Sequence, residues 1–244
     1  MNEVWESLGF FTARLRALAV SESIPLGEKG YCVSTGTDSE NWVYLPERVT
    51  PEAAHDVMSF ARERGEAFMW MVYDGGTESL DEAGLSRRGE YAAMKLDPAG
   101  AALRWNDSIT VERVSRESAE EWASVAWSCF GGEGGVPEDY CEFVRAMVDD
   151  AESLSLYLAK FEGKTAGCFV LTNEPERVGV YYFATLPEFR RKGVASAMMS
   201  EICRLSGGRK IVLQSTSMGL KFYRAFGFEE LFKIAVYSTE KDIL

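Results

Sequence analysis

The stretch FATLPEFRRKGVASAMM, residues 183–199, holds the densest basic triplet of the chain. Arg190, Arg191 and Lys192 stand side by side and are followed by Gly193, Val194, the small Ala195 and Ser196. An apolar strand pattern ends at Thr185, and Pro187 turns the chain. A helical period then begins at once, with Val194, Met198, Ile202 and Leu205 on one face. The first amides of a helix have no intrahelical acceptor, and the positive end of the helix dipole lies there too. A glycine-containing basic loop running into a helix is therefore an anion site. Gly193 and Ala195 let backbone N–H groups come close to a phosphate. The bland reading is a solvated helix start, but cations there oppose the dipole by about 0.3–1 kcal/mol each. The segment has neither the Gly-Lys-Ser/Thr ending of a nucleoside-triphosphate loop nor a Gly-x-Gly-x-x-Gly fingerprint.

Other reactive residue types are scarce. His55 is the single histidine, so any Ser-His-Asp or Cys-His unit would have to use it. It sits in a helical segment whose apolar face runs through Ala54, Val57, Met58 and Ala61, which reads as a surface position. Cys32, Cys129, Cys141, Cys168 and Cys203 are scattered and contain no Cys-x-x-Cys pair, so no metal site is expected. A disulfide framework is not expected either, which points to a reducing compartment.

The elements around the basic loop follow from periodicity and turn chemistry. Residues 4–20 read as a helix with Val4, Leu8, Phe11, Leu15 and Leu18 inward. Short strands are expected at 31–34 and 42–45, separated by the turn-rich STGTDSEN. Thr50-Pro51-Glu52 opens a helix that Gly65 ends. Residues 67–74 read as a strand, 78–83 as a short helix and 90–97 as a strand, with a linker from Pro98 to about Ser108. Beyond it the order is strand 108–114, helix 115–129, a Gly131–Gly135 loop, helix 137–148, and an antiparallel meander of strands 153–161, 165–173 and 177–185. A helix 192–205, a strand 210–215, a helix 218–225 and a strand 229–238 complete the chain. The expected class is α+β, a mixed and mainly antiparallel central sheet flanked by helices.

Arg190-x-x-Gly193-x-Ala195 after a strand carrying Pro187 resembles the acetyl-CoA signature of the GNAT N-acetyltransferase superfamily. Residues 213–228, ending in Tyr223-x-x-x-Gly227-Phe228, resemble that superfamily's second signature. The two motifs stand in the expected order, and the elements from 108 to 238 match as well. The segment AFMWMVYDGGTESLDEAGLSRRGEYAAMKLD has a looser similarity to a GNAT C-terminal half that lacks the anion loop. The resemblance implies a GNAT acyl-CoA N-acyltransferase fold with a degenerate N-terminal domain, residues 1–105, packed beside a catalytic domain, residues 106–244.

It also implies roles. Backbone groups of Phe183, Ala184 and Thr185 would line the pantetheine of acetyl-CoA. Arg190, Arg191, Lys192, Gly193, Val194, Ala195 and Ser196 would cradle its pyrophosphate. Thr216 would contact the cofactor, and Tyr223 would act as general acid toward the departing thiolate. Tyr181 and Tyr182 alternate on their strand, so one would face each side, and one would line the acceptor pocket. Glu133, in the glycine-rich loop, reads as a solvated carboxylate or a contact for a cationic acceptor. The strand 177–185 carries no carboxylate to serve as base. The implied activity is transfer of an acetyl group to a primary amine, on a small molecule or a peptide, by direct attack in a ternary complex. A non-catalytic acyl-CoA-binding module is the alternative, and the missing strand carboxylate is its support.

Composition sets the outer limits. The 244 residues are 46% apolar and 12% aromatic, enough for a sizeable core without staples. The formal charge of −12 argues against nucleic acid and against an anionic membrane surface, but not against a small anion held locally. Residues 1–108 carry 18 acidic and 10 basic residues, while 109–244 carry 20 and 16. The excess of acid thus lies mostly in the half without the basic loop. An acidic N-terminus and the absence of a long apolar run predict neither a signal peptide nor a membrane span, hence a cytoplasmic protein, monomer or homodimer.

Overall fold

The computed structural model describes residues 2–38, 40–72 and 75–239. In chain order the elements are α1 (Glu3–Ala17), β1 (Glu22–Leu26), β2 (Gly30–Ser34), β3 (Asn41–Tyr44), α2 (Pro51–Arg64), β4 (Phe68–Val72), α3 (Thr77–Ala83) and β5 (Ser86–Leu96). There follow β6 (Ile109–Arg113), α4 (Ala119–Cys129), α5 (Glu138–Asp149), β7 (Leu154–Phe161), β8 (Lys164–Thr172) and β9 (Arg177–Thr185). The chain ends with α6 (Val194–Leu205), β10 (Lys210–Ser215), α7 (Ser217–Phe226) and β11 (Glu229–Ser238).

Local chemistry accounts for most boundaries. Thr50 caps α2 by accepting from the Ala53 N–H, Pro51 occupies the first turn, and Gly65 ends the helix with φ +69°. Asn2 caps α1 in the same way through the Val4 N–H. Several elements differ from the expectation; α1, for one, ends at Ala17 rather than at residue 20. Residues 115–118 form a turn closed by Ser118 and Ser115 rather than the first turn of α4. β5 starts at Ser86, four residues early, because its partner β11 extends to Ser238. β1 was not anticipated: Pro25 interrupts its pattern, and the strand survives because it lies at the sheet edge, where a missing N–H donor is tolerated. Positions 73 and 74 of the expected strand 67–74 lie outside the described residues.

The described strands form one sheet in the order β1-β2-β3-β4-β11-β5-β10-β9-β8-β7-β6. Most neighbours are antiparallel; β3–β4 and β9–β10 are the parallel pairs. Each parallel pair is a strand–helix–strand unit. The run β3-α2-β4-α3-β5 thus recurs as β9-α6-β10-α7-β11.

The two halves do not lie side by side. Each lends its last strand to the other: β5 sits between β10 and β11, and β11 sits between β4 and β5. Either half alone would expose an unpaired strand edge, and the exchange covers both.

Helix α1 rests on this shared sheet. Its Phe11 ring stacks on Tyr181 of β9, with centroids 3.9 Å apart and planes 11° from parallel. The close approach needs a bare backbone at Gly179 of β9. A Cβ there would stand 2.3 Å from Ser7 Oγ and 2.7 Å from Thr172 Oγ1. Next to it Glu174 is buried and accepts from Ser7 (2.6 Å) and Thr172 (2.9 Å), while Arg177 pairs with Glu174 and with Glu6. Ion pairs and hydrogen bonds therefore tie the first helix to the second half of the sheet.

Candidate active site

β9 and β10 pair only at their first residues, Arg177–Gly179 against Lys210–Val212. Beyond Val180 and Leu213 they diverge, because a bulge interrupts β9. Cys168 faces Ala184 and Val170 faces Tyr181, so three steps on β9 match two on β8. Tyr182 takes up the extra residue with φ +49°. The bulge changes the expected alternation. Tyr181 and Tyr182 do not face opposite sides: both rings reach Phe11 of α1, and both line the cavity.

A cavity of about 490 Å³ fills the splay, within the range of small-molecule and cofactor sites. Seven of the residues singled out in the sequence line it: Phe183, Ala184, Thr185, Arg190, Ala195, Thr216 and Tyr223. The others are placed differently. Arg191, Lys192 and Gly193 are exposed on the loop, Val194 is buried with its side chain in the core, and Ser196 is half-buried. Arg190 donates to the Thr185 carbonyl (3.3 Å), and the Lys192 ammonium lies over the rings of Phe161 and Phe189. Glu133 is exposed and off the cavity wall, and His55 is exposed on α2.

The start of α6 keeps its amides free of side-chain caps. Gly193 is the N-cap residue with φ +88°, it offers no side chain, and the first turn holds no acidic residue. The matching helix of the first half is different: the Thr50 hydroxyl and Glu52 occupy the start of α2. The open amides of α6 suit an anion, and those of α2 are served by the chain itself. Thr185 Oγ1 supplies a second sign of an absent partner, since it is buried on the cavity side of β9 without a hydrogen bond. An uncapped helix start, a polar atom awaiting a partner and a splayed strand pair together fit the pyrophosphate and pantetheine of coenzyme A.

Tyr223 lies on α7 among the rings of Phe183, Phe222 and Phe228. The ring needs Gly219 one turn earlier, where a Cβ would come within 2.8 Å of it. Burial pushes its phenol well above the ordinary tyrosine range, so the hydroxyl stays protonated.

One charged residue of the cavity has no signal in the sequence. Glu40, in the turn before β3, lines the cavity from the first half of the chain. The Tyr182 hydroxyl donates to it at 2.5 Å and the Tyr140 hydroxyl at 3.4 Å. The residue is half-buried, and burial around its carboxylate raises its pKa above the ordinary value, with the two tyrosine hydrogen bonds opposing. Glu40 and Arg190 are the two charged residues on the described wall. In sequence Glu40 sits in a polar turn, and no local pattern separates it from a solvated carboxylate.

Residues 152–230 match the family model of the acetyltransferase (GNAT) domain. No curated protein matches the chain in sequence. Among solved structures, the chain is similar to a GCN5-related N-acetyltransferase from Kribbella flavida, with a TM-score of 0.66 at 14% identity over 98% of this chain and 96% of that one. A tandem GNAT protein from the clavulanic acid biosynthesis pathway gives a TM-score of 0.60 at 12% identity, covering 96% and 89%. A GCN5-related N-acetyltransferase from Sphaerobacter thermophilus gives 0.58 at 15%, covering 88% and 78%. The chain thus has the fold of these GNAT structures over nearly its whole length, and its residues 152–230 match the GNAT acetyltransferase domain model. No described helix is long and apolar enough to cross a membrane.

Proposed function

We propose that the protein is an acetyl-CoA-dependent N-acetyltransferase acting on a primary amine by direct attack. The observation that carries this reading is the meeting of three features in one cavity: the uncapped start of α6, the β9–β10 splay and the protonated Tyr223. Acetyl-CoA supplies the activated thioester. Backbone N–H groups from Gly193 to Ser196 would hold the pyrophosphate, with Arg190, Arg191 and Lys192 adding charge around it. Backbone groups of Phe183 and Ala184, with Thr185 Oγ1 and Thr216, would hold the pantetheine arm.

An acceptor ammonium must lose a proton before it attacks. Glu40 is the carboxylate on the described wall that can take it. As the new C–N bond forms and the C–S bond breaks, the Tyr223 hydroxyl would give its proton to the sulfur; the nitrogen would then lose its second proton, which restores the Tyr223 phenol through solvent, while the first proton, taken by Glu40, is released to bulk water. A covalent route through the chain finds less support. Cys129 is the thiol on the wall, and burial pushes its pKa up, away from the thiolate. Glu40 also answers the missing strand carboxylate, the feature that favoured a non-catalytic module.

The first half would bind no cofactor, since Thr50 already caps α2. The test is release of free thiol from acetyl-CoA with a panel of amines, beside calorimetry with CoA. CoA binding with no turnover on any amine would favour the module.

A further inference from the structure

The wall of the cavity divides into two ends. Toward α6 and α7 it carries Arg190, Thr185, Thr216 and Tyr223. Toward β3 and β4 it carries Trp42, Met69 and Met71, joined by Tyr91 of β5 and Phe130 after α4. Four of these five come from the first half of the chain. Phe130 is half exposed, and its ring stands edge-on to Tyr182 with centroids 5.7 Å apart. Set among them is the one anionic group of the described wall, the Glu40 carboxylate, fixed by Tyr182 and Tyr140.

An apolar, largely aromatic enclosure with one anion selects by elimination. A polyamine or aminoglycoside would bring several ammonium groups to one carboxylate and bury the rest unpaired. An amino sugar would bring several hydroxyls to five side chains that offer only the Tyr91 hydroxyl and the Trp42 indole N–H as partners. A ligand with one cationic head and an apolar body matches, because an aromatic face attracts an ammonium and packs a ring.

Resting on the acetyltransferase reading above, we infer that the acceptor is a hydrophobic monoamine of the arylalkylamine class. Its ammonium pairs with Glu40, and its body lies between Trp42, Met69, Met71, Tyr91 and Phe130. The first half of the chain is then the specificity element of the enzyme.

The test uses the full chain and three probe amines: phenethylamine, spermidine and glucosamine. Thiol release with acetyl-CoA should give phenethylamine a kcat/KM at least about tenfold above the other two, the value of one well-matched charged contact. Calorimetry of phenethylamine against protein saturated with CoA reads binding independently of turnover. Glu40→Gln should weaken that binding about 10–100-fold while leaving CoA affinity unchanged, which also shows that the variant is folded. Trp42→Ala should weaken phenethylamine about tenfold and leave methylamine unaffected. A preference for spermidine or glucosamine overturns the inference and leaves the acetyltransferase reading standing. Glu40-dependent binding of phenethylamine without thiol release from any amine supports the pocket assignment and refutes the acyl-transfer reading. No phenethylamine binding and no turnover refute both.

Discussion

Replacing Tyr223 by Phe removes one atom, and the structure says what that atom does. The ring packs against Phe183, Phe222 and Phe228, and these contacts survive in phenylalanine. The hydroxyl makes no hydrogen bond with the described residues, so its loss leaves no partner unsatisfied, and folding stability should change by less than about 1 kcal/mol. The catalytic effect should be large. A positioned general acid contributes about 10²–10⁴-fold, and a 10²–10³-fold loss in kcat corresponds to about 2.7–4 kcal/mol of barrier.

The pH dependence gives the sharper test. Burial raises the phenol pKa above its ordinary value, so wild-type Tyr223 is a competent acid throughout the neutral range and past pH 10. Any alkaline loss of kcat from this group lies above 10, and Tyr223→Phe should lose that limb while losing rate at every pH below it. Thiol release under saturating acetyl-CoA from pH 6 to 10.5 lies below that limb and measures the rate loss, which should be similar at every pH in the range. A variant within threefold of wild type across that range would refute the general-acid role. So would a loss confined to the KM for acetyl-CoA.

Three further perturbations probe the surroundings. Gly193→Glu sets a carboxylate and a strained φ +88° at the open start of α6, so CoA affinity measured by calorimetry should fall at least about 30-fold; retained affinity would remove the phosphate cradle from α6. Gly179→Ala drives a Cβ to 2.3 Å from Ser7 Oγ, beside the buried Glu174, and should destabilise by about 1–3 kcal/mol in urea unfolding. An unchanged transition midpoint would show that α1 is free to shift. Glu40 has a raised pKa in the folded state, so the fold holds a proton that the unfolded chain releases, and stability falls as pH rises through the window above 4.5. Glu40→Gln should therefore raise Tm near pH 8 and leave it unchanged near pH 4. A uniform shift at both pH values would show that ionisation of Glu40 costs the fold nothing.

The anion loop was legible because its signal is local. Charge, glycine and the onset of a helical period lie within seven residues, and the helix start that makes them a site is built from those same residues. The same holds for the cap at Thr50 and for the strands β7 to β9, whose turns are adjacent in sequence. Alternation places only one of Tyr181 and Tyr182 on the cavity, whereas both line it, because a bulge is set by mismatch with the neighbouring strand β8. Edge strand β1 was hidden by Pro25, whose tolerance depends on what pairs beside it.

The sequence by itself determined the class of chemistry: a basic helix start in an acidic chain, a tyrosine after it and an α+β frame to hold both. It also determined that metal and histidine chemistry had little to work with. Only the tertiary structure decided how the halves relate. Exchange of β5 and β11 is a choice between pairing partners more than a hundred residues apart, and hydrophobic alternation looks the same for either partner. That exchange, with α1 laid across β9, brings Glu40, Trp42, Met69, Met71 and Tyr91 to the cavity. The proposed cofactor end is built from contiguous residues. The proposed acceptor end is assembled across the chain, where long-range packing rather than local spacing sets which side chains meet.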